Sequence, residues 1–135
     1  MKKLLGFFLC IHALFYFLSS TTMALTLRSS SPDQPDLSYP ANYATDISSN
    51  PTLSTFSFSD PDGDSHQKTE WQMGTSSSFS ELIINQVSRS NLTSYPLPAL
   101  ALDEGTTYYW RARFIDQNDN ESEWSAVFRF TTEQT

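Results

Sequence analysis

The sequence is short of the residues that build cross-linked or reactive sites. Its 135 residues include one cysteine, Cys10, two histidines and four glycines. A single thiol forms no internal disulfide, and so few cysteines and histidines exclude a zinc site of the Cys/His type. No Gly-x-Ser-x-Gly elbow of a serine hydrolase occurs either. These absences argue against an enzyme, and no catalytic residue is predicted.

Basic residues are also scarce, since 8 lysines and arginines stand against 15 acidic side chains, for a net charge of −7. Nucleic acids and anionic membranes bind basic surfaces, so neither is expected as a partner. The apolar run from Leu4 to Leu18 holds 15 residues, whereas a membrane span needs about 20. It follows Lys2 and Lys3 and ends in small and polar residues, which is the order of a secretory signal peptide.

The predicted organisation is therefore that of an exported chain. We expect cleavage after Ala24, which leaves 111 residues, no cysteine and a net charge of −9; a retained signal anchor is the alternative. The serine- and proline-rich residues 25–36 predict a flexible lead-in, 37–132 a folded domain and 133–135 a short tail. The predicted location is extracellular or at the cell surface.

The domain itself has strand periodicity and no helical period of useful length, which predicts an all-β fold. The predicted strands that follow its first segment are 52–59, 69–73, 82–84, 92–97, 106–114 and 126–132. Pro96 lacks an amide donor and belongs on a sheet edge. In the longest strand, one parity is apolar and the other largely polar: Tyr108, Trp110, Ala112 and Phe114 against Tyr109, Arg111 and Arg113. This alternation is typical of a strand with one buried face.

Several motifs resemble a bacterial fibronectin type III domain. They are Leu102, Gly105, Thr106 and Tyr108, then Trp110–Arg113, Ser122–Ser125 and Phe130–Thr132, with Asn50–Leu53 and 56–64 in the first half. The resemblance covers about 37–132 and implies a seven-stranded immunoglobulin-like antiparallel sandwich. It also implies that the Tyr108 hydroxyl bonds to the backbone near Leu102. Phe56 stands where the family has a core tryptophan, and we expect Trp71 and Trp110 to fill that volume.

Trp124 lies in a Ser-x-Trp-Ser setting that resembles a truncated Trp-Ser-x-Trp-Ser motif, with Glu121 in place of the first tryptophan. The resemblance implies that Trp124 stacks on Arg111 or Arg113, with Arg129 extending the ladder. The alternative is that Tyr109, Arg111, Arg113 and Trp124 form a face that binds a glycan or a protein.

The acidic run Asp60-Pro61-Asp62-Gly63-Asp64 has two interpretations. Three alternating carboxylates offer oxygen ligands to a calcium ion at Asp60, Asp62 and Asp64, although the bidentate glutamate of the twelve-residue calcium loop is missing. The same residues also suit a turn in which the aspartates accept local backbone hydrogen bonds, and this interpretation is favoured. No cofactor is predicted, and calcium at this turn is the alternative. His66 lies beside this turn without an apparent catalytic partner.

The sequence thus predicts a non-catalytic interaction or spacer module, part of a larger extracellular protein, with a protein or glycan partner at the cell surface. A stand-alone carbohydrate- or protein-binding domain is the alternative. The module is expected to be monomeric. A reading frame that continues beyond Thr135 would favour the spacer.

Overall fold

The computed structural model describes residues 29–99 and 101–135. Within these ranges the chain forms strands only, and no helix there is long and apolar enough to cross a bilayer. The strands are β1 (Leu37–Tyr39), β2 (Ala44–Ile47), β3 (Thr52–Thr55), β4 (His66–Gly74), β5 (Leu82–Ser88), β6 (Ser94–Pro96), β7 (Thr107–Asp116) and β8 (Phe128–Thr132). The predicted signal peptide, 1–24, lies outside the described residues.

The strands build two facing sheets. One sheet has three strands in the order β1-β3-β6, and the other has five in the order β2-β8-β7-β4-β5. Neighbouring strands are antiparallel except β2 and β8, which run parallel. The predicted all-β sandwich is confirmed, with eight strands in the described residues instead of seven.

The additional strand arises because the first part of the domain serves both sheets. β1 pairs with β3 in the smaller sheet, and after Pro40 the chain crosses to the larger sheet, where β2 lies beside β8. Ala44 is opposite Phe130, and Ile47 is opposite Thr132. β2 has only four residues, and Ile47 is its one buried side chain. This alternation is too weak for the strand to be recognised in the sequence.

The core lies between the sheets and is dominated by aromatic side chains. Leu53, Trp71, Met73, Trp110 and Phe130 are all completely buried. The ring centroids of Trp71 and Trp110 are 6.4 Å apart, in the range of favourable aromatic contacts. The parity predicted for β7 is correct, because its four apolar residues are buried while its two arginines reach the outer face. Burial of these rings supplies the main stabilisation of a domain that has no disulfide.

The described part of the predicted lead-in packs along the sandwich. Pro32 and Pro35 are buried, and the Asp33 amide donates to the Ser59 carbonyl at 2.9 Å. The side chain of Ser29 donates to Asp64 at 2.6 Å. Residues 29–36 are therefore held by distant partners, which a composition rich in serine and proline does not reveal.

Several strand limits differ from the sequence-based prediction. β3 ends at Thr55, and its buried parity is that of Leu53 and Thr55; Phe56 lies on the opposite parity, is 63% exposed and is not a core residue. The predicted strand 92–97 is shortened to β6, and 82–84 is lengthened to β5. Pro96 does lie on a sheet edge, as predicted.

Candidate functional site

The candidate ligand face is the outer face of the five-stranded sheet, where the polar parity of β7 meets its neighbours. Arg113 is opposite Glu70 of β4, and Arg111 is opposite Gln72. Tyr109 lies between Gly74 of β4 and Arg129 of β8. The strand register alone therefore brings Tyr109, Arg111 and Arg113 into one row of side chains.

Trp124 contacts both arginines of that row. The guanidinium carbon of Arg111 is 4.1 Å from the Trp124 ring centroid, and that of Arg113 is 4.7 Å away. Arg111 also lies 4.2 Å from the ring of Phe79, in the β4–β5 loop. We call Phe79, Arg111, Arg113 and Trp124 the stacked cluster. Each cation over a ring face contributes a favourable electrostatic contact in addition to packing.

Hydrogen bonds fix the two arginines further. Arg113 donates from Nε to Glu70 Oε2 at 2.6 Å and from Nη1 to Glu121 Oε2 at 2.5 Å. Arg111 donates from Nε and Nη2 to Gln72 Oε1 at 2.9 and 2.8 Å. Burial lowers the pKa of Arg111. The negative charge of Glu70 raises this pKa, and the positive charge of Arg113 lowers it further. The stacked cluster is thus largely satisfied by its own members and the residues beside it.

Arg129 lies elsewhere on the same face. Its guanidinium carbon is 4.4 Å from the ring of Tyr43, a residue 66% exposed. The sequence had placed Arg129 as an extension of the ladder on Trp124, whereas the crossing of the chain into β2 brings Tyr43 beside it. The sequence analysis missed both Tyr43 and Phe79, because each lies in a connection whose path depends on the tertiary fold.

The serines around Trp124 explain how this tryptophan is positioned. Ser122 and Ser125 accept the amides of Phe114 and Ala112 through their hydroxyls at 2.9 and 3.0 Å. Their own amides donate to the carbonyls of the same two β7 residues. Segment 122–125 therefore pairs with β7 although it is not itself a regular strand. β8 begins only after this segment, at Phe128, and not at the predicted position 126.

Tyr108 makes the bond that the resemblance implied. Its hydroxyl accepts the Asp103 amide at 2.9 Å, one residue after the buried Leu102, and its ring packs 5.9 Å from that of Phe130. Gly105 turns the chain between these points with φ of 57°, a conformation that favours glycine. This corner fixes the entry into β7.

The acidic turn holds its carboxylates close together but uses most of their oxygens. Oxygen atoms of Asp60, Asp62 and Asp64 lie within 4.8 Å of one another. Asp60 Oδ1 accepts the amides of Asp62 and Asp64 at 2.8 and 3.2 Å. Asp64 accepts bonds from Gln117 and Asn118, both at 2.8 Å. Asp62 accepts the Ser30 amide.

His66 is placed in an aromatic cluster, which we define as Phe58, His66 and Phe114. Its ring is stacked 4.4 Å from Phe58 and lies edge-on at 4.6 Å from Phe114. His66 Nε2 is 2.7 Å from the Thr69 hydroxyl. Burial lowers the pKa of His66, and the hydrogen bond to the Lys68 carbonyl opposes this only in part. The arrangement is that of a packed neutral imidazole.

An open groove of about 510 Å³ lies between the sheets along β5 and β6, and both apolar and polar side chains line it. It is lined by Leu82, Ile84, Tyr95, Leu97 and Ala101 together with neighbouring residues. The sequence contained no signal for this groove, because it depends on how far apart the two sheet edges lie.

A family model described as "Rha78A-like, N-terminal immunoglobulin domain" matches residues 44–134. No curated protein sequence matches the chain significantly.

Solved structures share the fold. An α-L-rhamnosidase from Dictyoglumus thermophilum is 17% identical, with a TM-score of 0.58 over 77% of this chain and 12% of that one. A β-1,2-glucanase from Parabacteroides distasonis is 16% identical, with a TM-score of 0.53 over 79% and 13%. The sixth fibronectin type III domain of human fibronectin type III domain containing protein 3 is 14% identical, with a TM-score of 0.51 over 79% and 88%.

The likeness to the human domain confirms the predicted resemblance to fibronectin type III domains at the level of fold. The match spans only a small part of the two enzymes but most of the human domain. A likeness at these identities concerns the fold alone.

Proposed function

The chain belongs to the family of Rha78A-like N-terminal immunoglobulin domains, and we propose that it acts as a non-catalytic module that holds or presents other domains of a larger exported protein. The observation that carries this proposal is the family match over 44–134, read with the small share of each enzyme that this fold occupies. The signal peptide predicted for 1–24 supports export, to the cell exterior or the cell surface.

The geometry supports a non-catalytic role. His66 is packed between two phenyl rings and bonded to Thr69, so it is not directed into a cleft as a general base would be. The carboxylates of the acidic turn accept bonds from the protein itself. The hydrogen bonds made by these groups are thus mostly internal to the protein; Asp60 Oδ2 is buried without a partner within the described residues.

A spacer must keep its own shape, and the stacked cluster serves that need. The guanidinium groups of Arg111 and Arg113 lie over Trp124 and are hydrogen-bonded to β4. These contacts tie segment 122–125, strand β7 and strand β4 into one rigid face. We therefore assign Trp124 a structural role first.

The second candidate is a stand-alone binder of a glycan or a protein through the ligand face. It is favoured by Arg111 and Arg129, which form no salt bridge within the described residues, and by the partly exposed rings of Tyr43 and Tyr109 on the same side. Exposed aromatic rings beside guanidinium groups that form no salt bridge suit sugars and protein side chains.

Two measurements separate the candidates. An antibody raised against this domain should recover from the native source a polypeptide much larger than 15.3 kDa. A native polypeptide no larger than the domain would overturn the spacer proposal and favour the stand-alone binder.

The purified protein is then applied to a glycan array with and without calcium. The spacer proposal expects no binding above that of the double variant Arg111→Ala/Arg129→Ala. Glycan binding that this variant loses while it remains folded, as shown by a cooperative unfolding transition above the assay temperature, would establish the ligand face as a binding site.

A further inference from the structure

Strand β5 is an unprotected edge of the five-stranded sheet. It is seven residues long, Leu82–Ser88, and pairs with β4 on one side only. Its sequence, Leu-Ile-Ile-Asn-Gln-Val-Ser, contains no proline and no charge. The other sheet edges are shorter: β1 and β6 have three residues each and end beside or at a proline, and β2 has four with Asp46 among them. Natural edges are commonly guarded by short length, proline or charge, all of which β5 lacks; its pairing with β4 has one irregularity, a register shift between Leu82 and Ile84.

The side chains of β5 leave apolar surface uncovered. Val87, on the outer parity, is 55% exposed, and Ile83, at the register shift against β4, is 49% exposed, while Ile84 on the inner parity is buried. The groove between the sheets lies along the same edge. An extended strand added beside β5 would complete its backbone hydrogen bonds and cover these side chains.

The charged residues at the two ends of β5 indicate which strand would pair with it. Glu81 precedes the strand and Arg89 follows it; both are exposed, and neither forms a salt bridge within the described residues. Antiparallel pairing of β5 with β5 of a second copy, centred on Asn85, places Glu81 of each copy opposite Arg89 of the other. In this register Ile83 of each copy is opposite Val87 of the other, so the exposed apolar positions of the two strands are paired.

We propose that β5 is a self-association edge through which two copies of this chain form an antiparallel dimer with a continuous ten-stranded sheet. The pairing is isologous, so the same edge is used by both copies and assembly stops at two. The proposal departs from the monomer expected from the sequence, and it does not depend on the proposed spacer function.

The test is the molar mass of the purified protein in solution, measured by sedimentation or light scattering across a concentration series up to the millimolar range. We expect a concentration-dependent mass that approaches twice that of the monomer. Val87→Lys, which places a charge at the paired face, should give a monomer at all concentrations. The matched control is Val127→Lys at a valine 39% exposed outside β5, which should leave the dimer intact.

Charge reversal tests the register independently of the strand residues. Glu81→Arg and Arg89→Glu should each raise the dimer dissociation constant about tenfold, because the two-fold symmetry places each change at two contacts. The double variant should restore the original dissociation constant. Because the side chains of Glu81 and Arg89 are exposed, these variants are expected to keep the melting temperature of the parent. If Val87→Lys fails to fold, Ile83→Lys takes its place in the first test.

Three results would overturn the proposal: a monomer at every concentration, equal effects of the lysines at positions 87 and 127, or a double charge reversal that fails to restore pairing. Species larger than a dimer would also contradict it, since they require a second interface.

Discussion

The phenol oxygen of Tyr108 accepts the backbone amide of Asp103 at 2.9 Å, while the ring of Tyr108 is buried against Phe130. A buried ring with a polar end is thereby joined to the loop that precedes its own strand. The bond determines where β7 begins, and β7 carries the arginines of the ligand face.

We expect Tyr108→Phe to lower the free energy of unfolding by about 1 kcal/mol, because the Asp103 amide loses its acceptor while the packing is retained. Chemical denaturation measures the change. Tyr109→Phe is the matched control, since the Tyr109 hydroxyl takes part in no hydrogen bond within the described ranges, and its effect should be below about 0.5 kcal/mol. Equal losses for both variants would contradict the role given to the corner.

Trp124→Ala should cost about 1–2 kcal/mol of stability, because both Arg111 and Arg113 lose an aromatic face. Trp124→Phe keeps a ring and should cost less. Thermal and chemical unfolding report the loss. If Trp124→Ala left stability unchanged but abolished binding to a partner, Trp124 would belong to a ligand site instead of the stacked cluster.

The stability of the domain should fall as the pH is lowered through the range in which histidine titrates. Desolvation by burial lowers the pKa of His66 in the folded protein below the ordinary histidine value of about 6.5. The unfolded chain therefore takes up a proton before the folded one does, and the stability present above about pH 6.5 is lost on acidification.

His66→Phe should preserve the contacts with Phe58 and Phe114 and flatten this dependence. The measurement is the free energy of unfolding between about pH 8 and about pH 5, for both proteins. The same slope in the variant and the parent would show that other groups cause it. Asp116 contributes only at lower pH: burial raises its pKa, but its bonds from Asn118 and Asn120 outweigh burial and keep the pKa below the usual range.

Asp60→Ala should lower the melting temperature equally in EDTA and in millimolar calcium, because Asp60 Oδ1 holds the amides of Asp62 and Asp64. The control is Asp62→Asn, which leaves those two bonds in place. A calcium-dependent rise in the melting temperature of the parent that is absent from Asp62→Asn would instead establish a bound cation.

The sequence predicted the parts of the fold that depend on local alternation. Trp110 and Arg111 are adjacent in the sequence, and the two-residue period of a strand is enough to place Trp110 in the core and Arg111 on the outer face. The hydrogen bond to the Tyr108 hydroxyl was predicted from the family resemblance, which also predicted that Trp124 lies beside the arginines of β7.

The remaining features depend on distant contacts. Phe79 reaches Arg111 only because its loop folds over the sheet, and Tyr43 reaches Arg129 only because the chain changes sheets before β2. Phe56 is exposed because the buried parity of β3 is that of Leu53 and Thr55, and Phe56 falls on the opposite, outward parity. A pattern within one strand contains no information about where the neighbouring connections run.

The parallel pair of β2 and β8 has a mechanical consequence. β2 lies near the start of the domain and β8 near its end, and they are hydrogen-bonded side by side in the same direction. A force that draws the two ends of the domain apart loads these bonds in shear, all at once, and does not peel them open one after another. The domain should resist stretching along this axis more strongly than its short terminal strands suggest.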